Sequence, residues 1–140
     1  SGKDVEDMLI VLRTLEELAG KLACQLGSDA EIAEVRALHD EMVRCYRASD
    51  RLQYYKLNQA IHTAIVRLTK NASLSEMHHI LQTRLKRIRF IGHEGSEKWA
   101  AAVAEHEEMI AALEARDGSR LSRILGRHLV NAWERVRDVV

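Results

Sequence analysis

The chain has 140 residues, 46% apolar and 30% charged, a composition that suits one soluble domain. Its 21 basic and 21 acidic side chains cancel. It therefore lacks the basic excess with which a free-standing DNA-binding domain grips phosphates. No apolar run approaches the roughly 18 residues of a membrane span, and no signal peptide is visible. Cys24 and Cys45 form neither a disulfide framework nor a Cys-x-x-Cys site; they read as buried thiols of a cytoplasmic protein.

Proline is absent, so long uninterrupted helices are expected. Ser1-Gly2 resembles a tag-cleavage scar, and residues 1–3 are assigned to scar or linker. The first helix is predicted over 4–26, stopped by Gly27. Ser28 and Glu31 have the capping-box pattern, in which a hydroxyl and a carboxylate satisfy each other's backbone N–H groups. They open a helix over 29–48. Asp50 is an N-cap candidate for 51–69. Ser73 and Glu76 repeat the capping box before 73–91, stopped by Gly92. Ser96 is placed as the cap of 96–116 and Gly118 as its stop, followed by 119–138. Apolar residues never alternate with period two, so no strand is expected. Connections this short imply an all-α bundle in which the six helices pack mostly antiparallel.

Three histidines interrupt apolar stripes. In the fifth helix His106 lies amid Trp99, Ala102, Val103, Met109, Ile110 and Leu113. In the sixth, His128 lies amid Leu121, Ile124, Leu125, Leu129, Ala132 and Val136. In the third, His62 flanks Leu57, Ile61, Ala64, Ile65 and Leu68, with Asn58 one turn earlier on the same side. An inward imidazole costs free energy unless its nitrogens find partners. Each could be a core residue bonded to carbonyls. Three that converge could share a divalent metal, for which neutral imidazole is a common ligand.

The other histidines read differently. His39 and His93 are expected to be exposed, and at most one of His78 and His79 can face inward. Glu76-x-x-His79 resembles half of a di-iron site, but the second half is missing. Arg84, Lys86, Arg87 and Arg89 line the fourth helix, a solvated face in the main. Arg13 is placed at the core margin, where its planar fork could pair with a carboxylate.

These pieces together resemble a family. Arg13 precedes Leu15-Glu16 and Leu22-Ala23 in the first helix. Leu57-Asn58-Gln59-Ala60-Ile61-His62 and Asn71-x-x-Leu74 follow. Then come Glu105-His106-x-x-Met109-Ile110, Ala112-Leu113, Arg116-Asp117 and Arg127-His128-Leu129. The order is similar to the FCD domain, the C-terminal effector-binding domain of the fatty-acid-regulator subgroup of GntR-type bacterial transcription factors. No single piece is specific; the combination is.

The resemblance implies an all-α, antiparallel bundle of six to seven helices with an internal metal and effector cavity over 4–140. It also implies a homodimer and a separate upstream winged helix-turn-helix that reads DNA and is absent from this sequence. Its metal, often zinc or nickel, would be held by Asn58, His62, His106 and His128. Many members have Asp at the position of Asn58. An amide leaves the ion its full charge, which favours an anionic effector. A small carboxylate would complete the coordination shell and pair with Arg13, and with Arg84 or Arg87. Such a domain is not an enzyme. Two other readings stay open: a hydrolase or hydratase using three histidines on zinc, and a helical interaction module that binds no ligand.

Overall fold

All six stretches of helical periodicity fold as helices in the computed structural model, which describes residues 2–92 and 95–138 apart from the side chains of Arg89 and Gly92. Helix α1 spans Gly2–Leu26, α2 Asp29–Arg47, α3 Arg51–Arg67, α4 Ala72–Gly92, α5 Ser96–Glu114 and α6 Gly118–Val136. No strand occurs among the described residues. His93 lies outside them.

The helix starts follow side-chain chemistry, with three departures from the sequence reading. Glu31 N–H donates to Ser28 Oγ at 3.1 Å and Ser28 N–H to Glu31 Oε1 at 2.9 Å, completing the expected capping box. Asp50 caps α3 through Gln53 N–H at 3.3 Å. The start of α4, however, is capped by Asn71, whose Oδ1 accepts from Leu74 N–H at 3.0 Å. Lys70 takes a left-handed φ of 56° and turns the chain into α4 earlier, so Ser73 falls inside the first turn. Ser96 is the first residue of α5; its cap is Gly95 at φ 86°, which has no side chain to accept a bond. Gly118 opens α6 and does not stop α5. Arg116, at φ 54°, makes that reversal, and Asp117 caps α6 through Arg120 N–H at 3.1 Å.

Helix α1 packs along α6 and also meets α3, α4 and α5. The close α1–α6 approach depends on Gly20: a Cβ there would meet Ser122 N at 3.0 Å and Leu125 Cδ1 at 3.1 Å. Three apolar clusters result among the described residues, the smallest of them Ala19, Val66 and Leu74; the other two are larger. The largest joins Ala23 of α1 with Val35 and Met42, Ile61 and Ile65, Ile110 and Leu113, and Leu121 and Leu125. The second joins Leu9 and Leu12 of α1 with Leu85, Ile88, Leu129 and Val136. Polar residues occupy the seam between these two. On α1, Glu16 separates Leu12 from Ala23; on α6, His128 separates Leu125 from Leu129. The fold thus gathers buried polar groups between two apolar bodies.

Candidate metal centre

Helix α3 supplies Asn58 and His62 one turn apart, α5 supplies His106 and α6 supplies His128. All four are at most 1% exposed. The helical step of 3.6 residues puts Asn58 and His62 on one face, as their four-residue spacing requires. One ring nitrogen from each histidine lies within 4.8 Å of the other two. Ring centroids are 5.4 Å apart for His62 and His106, 5.6 Å for His62 and His128, and 5.1 Å for His106 and His128. The three histidines that interrupt three separate stripes therefore meet at one point.

One of them is held from behind by a carboxylate, and a second has a carboxylate nearby. His62 Nδ1 donates to Glu16 Oε1 of α1 at 2.9 Å. His128 Nδ1 lies 3.5 Å from Glu105 Oε1 of α5. A carboxylate on one ring nitrogen fixes the tautomer, leaving the lone pair of the other for a metal. Asn58 adds an independent sign. Neither its Oδ1 nor its Nδ2 has a hydrogen-bond partner among the described residues, although the side chain is fully buried. An orphaned buried amide costs about 1–3 kcal/mol. Three converging imidazoles, with an amide one helical turn from His62, form a donor set that fits zinc, nickel or another first-row divalent ion.

The two carboxylates behind the histidines are held differently. Glu105 accepts from Asn131 Nδ2 and from Arg135 Nη2, each at 2.8 Å. Burial alone would push its carboxyl up, but His128, Arg135 and Asn131 outweigh that and hold it down at about 2. Glu16 gives its second oxygen, Oε2, to His78 Nε2 of α4 at 3.2 Å. Beyond Glu105 stands an aromatic wall, where Trp99 packs edge-on against Tyr54 and Tyr46 at 5.3 and 4.8 Å between centroids. Burial raises the Tyr54 hydroxyl well above its ordinary range.

The effector arginines read from the sequence do not join this cluster. Arg13 is half exposed rather than at the core margin, and it pairs with Glu17 at 3.5 Å. It borders a groove of about 240 Å³ between α1 and α6, with Leu9, Leu129 and Trp133. Arg84 and Arg87 are exposed on α4. A larger groove, about 660 Å³, runs between α2, α3 and α4 past Gln59, Thr63, Arg67 and Lys86. Neither groove is lined by Asn58, His62, His106 or His128.

One histidine departs from expectation, and the adjacent pair follows it. His39 is fully buried, not exposed, and meets Glu107 of α5, which Arg36 also approaches at 3.5 Å. His78 is the inward member of its pair, and His79 is exposed. Glu76 is exposed too, so Glu76 and His79 supply no buried di-iron half-site. Arg135 is mostly buried, at 16% side-chain exposure.

A sequence comparison with curated proteins gives no match. Among solved structures, the chain is similar to E. coli McbR/YncC at a TM-score of 0.83 and 20% identity, over 93% of this chain and 66% of that one. That similarity concerns the fold. The FCD domain model matches residues 7–131, which include Asn58, His62, His106 and His128. The chain belongs to the FCD domain family.

Proposed function

We propose that this chain is the effector-sensing and dimerisation domain of a cytoplasmic GntR-type transcription regulator, and that a small organic acid binds at a metal held by Asn58, His62, His106 and His128. The observation that carries the reading is the convergence of three buried imidazoles, with an unpartnered buried amide one helical turn from His62. When bound, a divalent ion would supply positive charge and open coordination positions for a carboxylate. The four side chains contribute no negative charge of their own. Glu16 and Glu105 are spent on the back of His62 and His128. That leaves them a holding role rather than that of a free general acid or base, and it favours sensing over hydrolysis.

DNA reading belongs to a separate domain in this proposal, in keeping with the zero net charge. The dimer face is assigned to α1 and α4, which pack together and leave Ile10, Val11 and Leu18, and Met77 and Ile80, exposed. An effector acts only through its different affinity for two arrangements of the pair, and each tenfold difference is worth about 1.4 kcal/mol. Calorimetric titration of citrate, lactate and an aromatic acid into zinc-loaded and chelator-treated protein tests the reading. A carboxylate that binds only the zinc-loaded form is the expected result. Equal binding to both forms would detach the effector from the metal.

A further inference from the structure

Each backing carboxylate has its own holder, and the parallel reveals a role for a histidine that is not in the ligand set. Glu105 can present an oxygen to His128 because Asn131 and Arg135 fix its plane from α6. Glu16 presents Oε1 to His62 at 2.9 Å while Oε2 faces His78 at 3.2 Å. Glu16 and His78 are 1% and 2% exposed. The bridge thus joins α3, α1 and α4 through one carboxylate. We infer that His78 is a positioning residue of the metal centre: by holding Glu16 it fixes the ring of His62, without itself contacting the metal.

The physical reason is rotational. A glutamate's terminal torsion is broad and roughly two-fold, so a bond to one oxygen leaves the carboxylate plane loosely set. A second donor on the other oxygen fixes the plane, and with it the direction from which the first oxygen accepts. His62 Nδ1–H then has one orientation, and the Nε2 lone pair has one direction. Without His78, Glu16 Oε2 loses the donor that reaches it from α4. His78 also borders a groove of about 120 Å³ with Thr63, Val66, Arg67 and Ser75. Water from that groove could reach Glu16 once the imidazole is removed, but it would not hold the carboxylate in one plane.

This inference rests on the metal reading above, and its test separates the two. Zinc affinity is measured by competition with a chromophoric chelator for the wild-type chain, His78→Ala, His78→Gln and His79→Ala. Folding and metal-free stability are followed by circular dichroism. Loss of an outer partner weakens metal binding roughly 10–100-fold, and His78→Ala is expected to fall in that range. His78→Gln keeps an N–H donor and should recover most of the affinity, and His79→Ala should match wild type. In nitrogen-15 spectra of the zinc-loaded protein, the His62 Nδ1–H signal should be sharp in wild type and His78→Gln and broadened in His78→Ala. Wild-type affinity in folded His78→Ala overturns the inference alone. So does a Gln variant no better than Ala, which would make His78 a packing residue. A wild-type chain that binds no zinc overturns the metal reading and this inference together.

Discussion

Replacing Asn58 by Leu should move metal-free stability and metal binding in opposite directions. The amide is fully buried, and both of its polar atoms lack partners among the described residues. Leu has the same branched outline, though it is bulkier, and nothing to satisfy. Removing one unsatisfied buried group recovers about 1–3 kcal/mol. For 140 residues the unfolding entropy is roughly 0.3 kcal/mol/K, so Tm of the chelator-treated variant should rise by about 3–10 °C. Zinc should do the reverse. At a hundredfold excess over Kd it stabilises wild type by about 2.7 kcal/mol, or about 9 °C. A hundredfold loss of affinity leaves about 0.4 kcal/mol at the same zinc concentration, and the zinc-induced rise shrinks to about 1–2 °C. Thermal unfolding followed at 222 nm, with chelator and with zinc, reads both numbers. A variant less stable than wild type without metal would show that the amide is a structural hydrogen-bonding group. An unchanged zinc-induced rise would show that it is not a ligand.

Other outcomes follow from the same geometry. Asn58→Asp should bind zinc more tightly and lose any dependence of zinc affinity on added carboxylates, since it supplies the missing anionic ligand; a competition titration with and without citrate measures this. Glu105 is held at about 2 against an ordinary 4.5. Its depressed value means that its contribution is complete above about 4.5 and is lost as pH falls toward 2. Metal-free wild type should therefore lose stability more steeply over that window than Glu105→Gln, as denaturant midpoints at successive pH values would reveal. Ser49 ends α2 at φ 58°, with Asp50 N–H reaching back to Cys45 O at 2.9 Å. Ser49→Gly should stabilise by about 0.5 kcal/mol, the left-handed cost of about 1–2 kcal/mol being partly offset by unfolded-state entropy.

Much of this centre was legible because an inward polar residue leaves a mark on helical periodicity. His106 and His128 interrupt long apolar stripes, and Asn58 and His62 share a face by their spacing. The same rule, applied further, finds what the histidine reading missed. Glu16 stands in the stripe Leu9, Leu12, Ala19, Ala23; His78 stands between Leu74 and Leu85; His39 stands between Val35 and Met42. Each is buried. Their partners were not legible, because periodicity gives a face and not the helix it meets. Glu16 bonds residues 46 and 62 positions away. Arg13 fails for the complementary reason: a long side chain at a stripe margin can extend to solvent, and it pairs there with Glu17. The cap of α4 escaped because Asn71 competes with Ser73 for one role, and the left-handed turn at Lys70 decides between them.

The central claim is that these buried side chains share one ion. Elemental analysis after zinc reconstitution and desalting, on wild type beside His106→Ala and His128→Ala, tests it directly. The account predicts about one zinc per wild-type chain and loss of the metal in both variants. A wild-type chain without metal, or variants that retain it, would contradict the account.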